Sequence, residues 1–245
     1  MKIAAIILAA GEGKRMGVTD KPKVMVEISG KPMVEHLVDA VEGAKVNDIT
    51  LVVGFKKETV KQYFKDRTKF VEQTEQLGTG HAVMMAEDSL TGKSDAIITC
   101  YGDMPLFKSE TIKSLVETFE KEKPTVAMLT VKFDDPGFWA FGRIVRDKNG
   151  EISGIVEQKD CNPEQLKIKE SNPSFFIFDS KFLWDNLKNL NTENAQGEYY
   201  LTDMIKVAKD QGKKIVSVPV SEESEVLGAN TPEQLGEIEE ILEKR

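Results

Sequence analysis

Two cysteines in 245 residues, Cys100 and Cys161, are too few and too far apart for a disulfide framework, and neither has the spacing of a zinc ligand pair. Both read as packing residues. No apolar run approaches the roughly 18 residues needed to cross a bilayer, and the first ten residues are strand-like, without the cleavage pattern of a secretory leader. A cytoplasmic protein is therefore expected. A basic excess is also missing: 33 Lys and Arg face 41 Asp and Glu, for a net charge of −8. That excludes the broad cationic face needed for nonspecific nucleic-acid or anionic-membrane binding. There are two histidines, and both fall in or at the start of helical patterns, so a structural role is expected for His36 and His81. Internal repeats, low-complexity stretches and long linkers are absent. Without a hexapeptide repeat, no β-helix is expected to follow the core.

What is present is an alternation. Strand-like runs at Ile3–Ala9, Ile49–Val53, Ala96–Cys100 and Val126–Val131 are separated by helical patterns near Pro32–Val41, Glu58–Lys65, Gly80–Glu87 and Ser109–Lys121. This spacing predicts crossover units on a largely parallel sheet. After about residue 132 the runs shorten, at Arg143–Val145, Ile152–Val156 and Phe175–Phe178. Helices near Lys181–Leu187 and Tyr200–Lys209, a strand at Ile215–Val218 and a helix from Pro232 follow. The expectation is one α/β domain: a Rossmann-like core at about 1–131 and 211–245, with a mostly parallel mixed sheet, and a small lobe at about 132–210.

The first strand empties into Gly11-Glu12-Gly13-Lys14-Arg15-Met16-Gly17 and Lys21-Pro22-Lys23, a cationic glycine-bearing loop on an acidic protein. Glycines let backbone N–H groups approach an anion, Arg15 offers a planar fork, and Lys23 a point charge, so the two suit different oxygens of a triphosphate. The plainer alternative is a strand-to-helix turn with solvated charges. Gln73 to His81 is a polar, glycine-rich loop whose amides suit a nucleobase edge, or a helix start capped by Thr79. Asp103, after the strand ending at Cys100, faces phosphates sensibly only with a cation between them, and Mg²⁺ is such a cation. Otherwise it caps the helix near residue 109 or shapes a turn. Polar residues from Phe141 to Ile144, from Glu157 to Asp160 and at Asn172 are candidates for sugar hydroxyls, against a reading as surface residues. Asn230 is either a carbonyl-oxygen metal ligand or a turn residue before the last helix.

These pieces occur in order: Leu8-Ala9-Ala10-Gly11-Glu12-Gly13-Lys14-Arg15-Met16, Lys21-Pro22-Lys23, Gln76-Leu77-Gly78-Thr79-Gly80-His81-Ala82, Gly102-Asp103-Met104-Pro105-Leu106, Gly142-Arg143-Ile144, Glu157-Gln158-Lys159-Asp160 and Gln196-Gly197-Glu198-Tyr199-Tyr200-Leu201-Thr202-Asp203. The set resembles the sugar-1-phosphate nucleotidyltransferases over nearly the whole chain, and within them the uridyltransferase domain that makes UDP-N-acetylglucosamine. The resemblance implies that Leu8, Ala9, Ala10, Gly11, Gln73, Gln76, Gly78, Thr79, Tyr101 and Gly102 bind the nucleotide. It implies Arg15, Lys23 and Asp103 as catalytic groups, and Asp103 with Asn230 as Mg²⁺ ligands. Gly142, Glu157, Asn172, Glu198, Tyr200 and Thr202 would face the sugar. The expected substrates are UTP and N-acetylglucosamine-1-phosphate, with another sugar-1-phosphate or a noncatalytic nucleotide-sugar sensor as alternatives, in a monomer or small homo-oligomer. Two local departures bear on the sugar. Asn172 is followed by Pro173-Ser174, where the family usually has Thr-Gly, and Pro136–Phe141 is slightly longer than usual and carries Phe138 and Trp139.

Overall fold

Strand β1, Ile3–Ala9, is apolar on both faces because both faces are covered: Ala5, Ile7 and Ala9 pack into one cluster, Ala4 and Ile6 into another. That is the pattern of a central parallel strand. The computed structural model describes residues 1–244, and for Lys14 the backbone alone. After β1 come a short hairpin, β2 (Glu27–Ile28) and β3 (Lys31–Pro32), helix α1 (Met33–Gly43), β4 (Asp48–Val53), α2 (Lys57–Phe64) and β5 (Lys69–Glu72). Helices α3 (Thr79–Met84) and α4 (Glu87–Leu90) lead to β6 (Ala96–Tyr101), α5 (Ser109–Glu122) and β7 (Val126–Lys132). Strands β4 and β6 flank β1, and β5 lies beyond β4, all parallel. The expected crossover core is therefore observed.

The expected helical stretch at Gly80–Glu87 is two short helices, broken at Met85–Ala86, and the pattern at Tyr200–Lys209 is helical only from Asp203. Helix α5 begins at Ser109 and buries Ile112, Leu115 and Phe119.

The rest of the chain contributes β8 (Gly142–Arg146), β9 (Ile152–Val156), β10 (Glu170–Asn172) and β11 (Phe176–Asp179), then α6 (Ser180–Leu187), α7 (Asp203–Asp210), β12 (Ile215–Pro219) and α8 (Pro232–Glu243). Strands β10 and β11 are two halves of one extended segment, and both run antiparallel to β7. On its other edge the first half pairs with β8 and the second with β6. The sheet thus forks at Pro173–Phe175. One branch, β10-β8-β9, leaves as the lobe, while β11 sits in the core between β6 and β7. Strand β12 pairs parallel with β7.

Candidate functional site

Ligands of open parallel sheets bind beyond the carboxyl ends of the strands, and here a cavity of about 220 Å³ opens at those ends. It is lined by Leu8 and Ala9 at the end of β1 with Ala10 and Gly11 beyond it, by Lys23, by Gln73, Gln76, Gly78 and Thr79 after β5, and by Tyr101 at the end of β6 with Asp103 beyond it. Eleven of the residues expected on nucleotide or catalytic grounds come together in one place this way, with Gly102 behind them donating its N–H to Leu8 O at 2.9 Å. Glu198, expected on the sugar side, also lines this cavity. Val24 and Ala82 were not anticipated; one follows Lys23 directly, and the other stands one helical turn after Thr79.

The cationic loop is built around Lys23. Pro22 leads into a tight turn, with Met25 N–H bonded to Pro22 O at 2.9 Å and Val24 and Met25 buried. Gly13, with φ of +69°, lies against the aliphatic stem of Lys23; a Cβ there would stand 2.4 Å from Lys23 Cβ. Glycine is required at this position by close approach as well as by its dihedral. The Lys23 Nζ donates to Asp103 Oδ2 and, at 3.0 Å, to Asn230 Oδ1, and the latter also accepts from Arg15 at 3.1 Å. Asp103 therefore does not cap helix α5. Its carboxylate and the Asn230 amide oxygen converge within reach of one cationic point, and both are hard oxygen donors of the kind Mg²⁺ takes. No group of three or more His, Cys, Asp or Glu side chains suited to a metal stands among the described residues. A metal held by these two would complete its shell from phosphate and water.

The loop after β5 is zipped to the segment before α7. Gly80 N–H donates to Tyr199 O at 2.7 Å, Tyr199 N–H to Leu77 O at 2.9 Å, and Leu201 N–H to Thr79 Oγ1 at 3.0 Å. The Thr79 hydroxyl thus accepts from Leu201, also meets the Tyr101 phenol, and makes no cap to α3. Buried Gln73 donates from Nε2 to Gly78 O and to His81 Nδ1, both at 3.1 Å, so it shapes the loop from within. His36 Nε2 lies 2.9 Å from Ile28 O. Both histidines are engaged structurally, as expected.

A second constellation lies across the fork. Gly142 is abreast of Asn172 in the β8-β10 ladder, and a Cβ on Gly142 would meet Glu157 carboxylate oxygens at 3.4 Å. Thr202 Oγ1 donates to Glu157 Oε1 at 2.9 Å. Burial, and then the nearby Asp160 and Asp203 charges, push the Glu157 carboxyl above its usual range, against the Thr202 bond. Tyr200 is nearby, but its hydroxyl donates to Asp160 Oδ2 at 3.2 Å and accepts from Gln196. The Asn172 amide is folded back onto its own turn, accepting from Ser174 N–H at 3.0 Å. Ser174 holds φ of +57°, and its hydroxyl also meets Tyr101, whose phenol burial pushes well up. Trp139, expected beside the sugar, is instead buried and donates to Gly228 O at 3.3 Å. Arg143 is not a sugar ligand either: it is fully buried and donates to Phe141 O and Pro136 O.

Residues 5–215 match the MobA-like NTP transferase domain. The chain belongs to that family. Among curated proteins, this nucleotidyltransferase is 45% identical over 242 residues to the bifunctional protein GlmU of Clostridium botulinum (strain Loch Maree / Type A3), covering 98% of this chain and 52% of that one. The protein of the same name from Streptococcus thermophilus (strain ATCC BAA-491 / LMD-9) is 42% identical over 241 residues, with the same coverages. The chain spans about half the length of the curated relatives it matches. Among solved structures, a UDP-glucose pyrophosphorylase complexed with UDP-glucose superposes with a TM-score of 0.83 at 18% identity, covering 100% of this chain and 99% of that one. A Bacillus anthracis protein described as a glucose-1-phosphate thymidylyltransferase, bound to sucrose, gives 0.78 at 23% identity, covering 98% and 94%. At these identities the likeness speaks for the Rossmann-like nucleotidyltransferase fold.

Proposed function

We propose that the protein transfers a uridylyl group from UTP to N-acetylglucosamine-1-phosphate, releasing pyrophosphate and UDP-N-acetylglucosamine. The observation that carries this reading is the meeting of Arg15, Lys23, Asp103 and Asn230 at the mouth of the strand-end cavity. The resemblance of the ordered motifs and the 42–45% identity to GlmU proteins support the choice of substrates. Nucleotide occupies the cavity of Leu8–Gly11, Gln73, Gln76, Gly78, Thr79, Tyr101 and Gly102. The acceptor lies across the fork against Gly142, Glu157, Asn172 and Thr202, with Glu198 and Tyr200 alongside. Core and lobe, about 1–131 with 211–245 and about 132–210, then divide the two substrates between them.

The reaction needs no protein nucleophile. A phosphate oxygen of the sugar-1-phosphate attacks the α-phosphorus of UTP, the bond to the β-phosphate breaks, and pyrophosphate leaves with the electron pair. The acceptor phosphate is already ionised near pH 7, so the residues' work is to hold two anions in line and offset the charge that builds on the phosphoryl oxygens. Lys23, fixed by Gly13 and the turn after Pro22, supplies a point charge at the cavity; exposed Arg15 supplies a fork at its rim. Asp103 and Asn230 would hold Mg²⁺, which supplies further neutralisation of phosphate charge.

The test is pyrophosphate release from UTP and Mg²⁺ with N-acetylglucosamine-1-phosphate or glucose-1-phosphate at matched subsaturating concentrations. A strong preference for the acetamido sugar supports the reading, since a site built to hydrogen-bond that group rejects a sugar lacking it. Preference for glucose-1-phosphate keeps the chemistry and reassigns the acceptor. Release with neither, alongside tight UDP-sugar binding, refutes catalysis in favour of a sensor.

A further inference from the structure

We propose that Trp139 is a positioning residue for the metal-binding side chain of Asn230, delivered to it by the 136–141 loop from the sugar-side strand β8. The inference rests on the reading above in which Asp103 and Asn230 hold the metal.

The segment carrying Asn230 has little side chain of its own to anchor it. Gly228 approaches Asp103 so closely that a Cβ would stand 3.1 Å from Asp103 O, and the next N–H, of Ala229, donates to that same oxygen at 3.1 Å. Asn230 N–H donates to Gln234 Oε1 at 2.8 Å. The Gly228 carbonyl is held from a distant part of the chain, by the indole Nε1–H of Trp139, a group that can only donate. Only Ala229 lies between Gly228 and Asn230, so removing the carbonyl's donor loosens the segment just ahead of the ligand.

The loop that brings Trp139 there is shaped from the other end by Arg143, next to Gly142 on β8. Arg143 is 0% exposed; its terminal nitrogens donate to Phe141 O and Pro136 O, and its Nε has no hydrogen-bond partner. Burying a guanidinium for two carbonyls costs stability. A loop that merely covered the core needs no such charge, whereas one that must present an indole N–H at a set place does. Phe141 N–H to Trp139 O at 2.9 Å and the Phe133 ring, stacked on Phe141 with centroids 5.9 Å apart, complete the brace. The loop therefore joins the strand bearing Gly142 to the segment bearing Asn230.

Outer partners that orient metal ligands typically change metal affinity by 10- to 100-fold when removed. The probe is Mn²⁺, titrated by electron paramagnetic resonance into the full chain with a UTP analogue carrying a methylene between α- and β-phosphorus. Trp139→Phe, which keeps an aromatic ring and removes the N–H, is expected to weaken Mn²⁺ about tenfold. Phe138→Ala trims the half-exposed ring that packs on Trp139, and is expected to leave Mn²⁺ affinity within twofold of wild type. An unchanged affinity in Trp139→Phe, or an equal loss in Phe138→Ala, overturns the proposal. A second readout uses folded protein with the native loop. In ¹⁵N-indole spectra of wild type, Mg²⁺ with the analogue should move the Trp139 Nε1–H resonance and leave that of Trp184, bonded to Ser180, in place. A stationary Trp139 resonance also overturns it. Asn230→Ala separates the two levels of argument: if Mn²⁺ binds equally well without Asn230, the metal reading falls and the proposal with it. If Asn230→Ala weakens Mn²⁺ and Trp139→Phe does not, only the proposal falls.

Discussion

Arg15 and Lys23 donate to the same oxygen of Asn230, yet removing one should cost activity alone and removing the other activity and stability together. Arg15 is exposed, and Asn230 Oδ1 keeps Lys23 at 3.0 Å when Arg15 is gone, so no buried polar atom is orphaned. Arg15→Ala is therefore expected to lie within about 0.5 kcal/mol of wild type. Lys23 and Asp103 form an ion pair with side chains only 13% and 17% exposed. Breaking a fully buried pair costs about 3–5 kcal/mol, and an exposed one about 0–1 kcal/mol. A carboxylate that still touches solvent at a cavity mouth falls between, so Lys23→Met should cost roughly 2–3 kcal/mol, or about 5–10 °C in Tm for a chain of this size. Both variants lose a preorganised charge at the phosphates, and each should lower kcat by roughly 100- to 1000-fold. Thermal melting by circular dichroism and pyrophosphate release on the same preparations check this. Near-normal turnover in Arg15→Ala removes Arg15 from the mechanism, and a wild-type Tm in Lys23→Met refutes the energetic argument.

Glu157 carries a raised pKa from burial and from Asp160 and Asp203. Between its ordinary value near 4.5 and the higher folded one the native state holds the extra proton, so stability falls as pH rises through that window and the cost is complete above the folded value. Glu157→Gln keeps an acceptor for Thr202 and removes the charge, so it should melt above wild type at pH 7 and together with it below about pH 4.5. A constant difference across that range refutes the assignment. Ser174→Gly removes a left-handed strain of about 1–2 kcal/mol together with the hydroxyl contacts to Asn172 and Tyr101. Tm should hold or rise while the acceptor KM increases with little change in the KM for UTP. An unchanged acceptor KM separates Ser174 from the sugar subsite.

The core was legible because its signals are local. A two-faced apolar strand such as Ile3–Ala9 and a one-faced helix such as Ser109–Glu122 each state their burial in their own spacing. Strand β5 was missed because Lys69-Phe70-Val71-Glu72 lies at the sheet edge, with charged ends and no apolar run. The β10 strand was missed for another reason: Pro173 and Ser174 interrupt it, and punctuation of this kind reads as a loop. At the site, a cationic glycine-bearing loop and a carboxylate after a strand are recognisable as types, so Lys23 and Asp103, which line the strand-end cavity, stood out in the sequence. Whether a polar side chain meets ligand or carbonyl depends on long-range contact, and no spacing distinguished Arg143, which serves Pro136 and Phe141, from a sugar ligand. Trp139 was noticed for its bulk, but its bond to Gly228, 89 residues away, is invisible in the order of residues.

If nucleotide and acceptor divide between core and lobe as proposed, the fork at Pro173–Phe175 is a gauge block between them. Thr99 is abreast of Phe176, which sets Tyr101 level with Ser174, and Gly142 is abreast of Asn172. The walls assigned to nucleotide and to acceptor are therefore offset by two residues of one strand, roughly 7 Å of backbone. Ladder hydrogen bonds set that offset, and they do not depend on which side chains the lobe carries. Lobe strands β8 and β9 are free to be redecorated for a new acceptor without moving its phosphate relative to the nucleotide. In such a molecule, substrate range and reaction geometry are separately inherited, and selection for a different product leaves the alignment of the reacting phosphates intact.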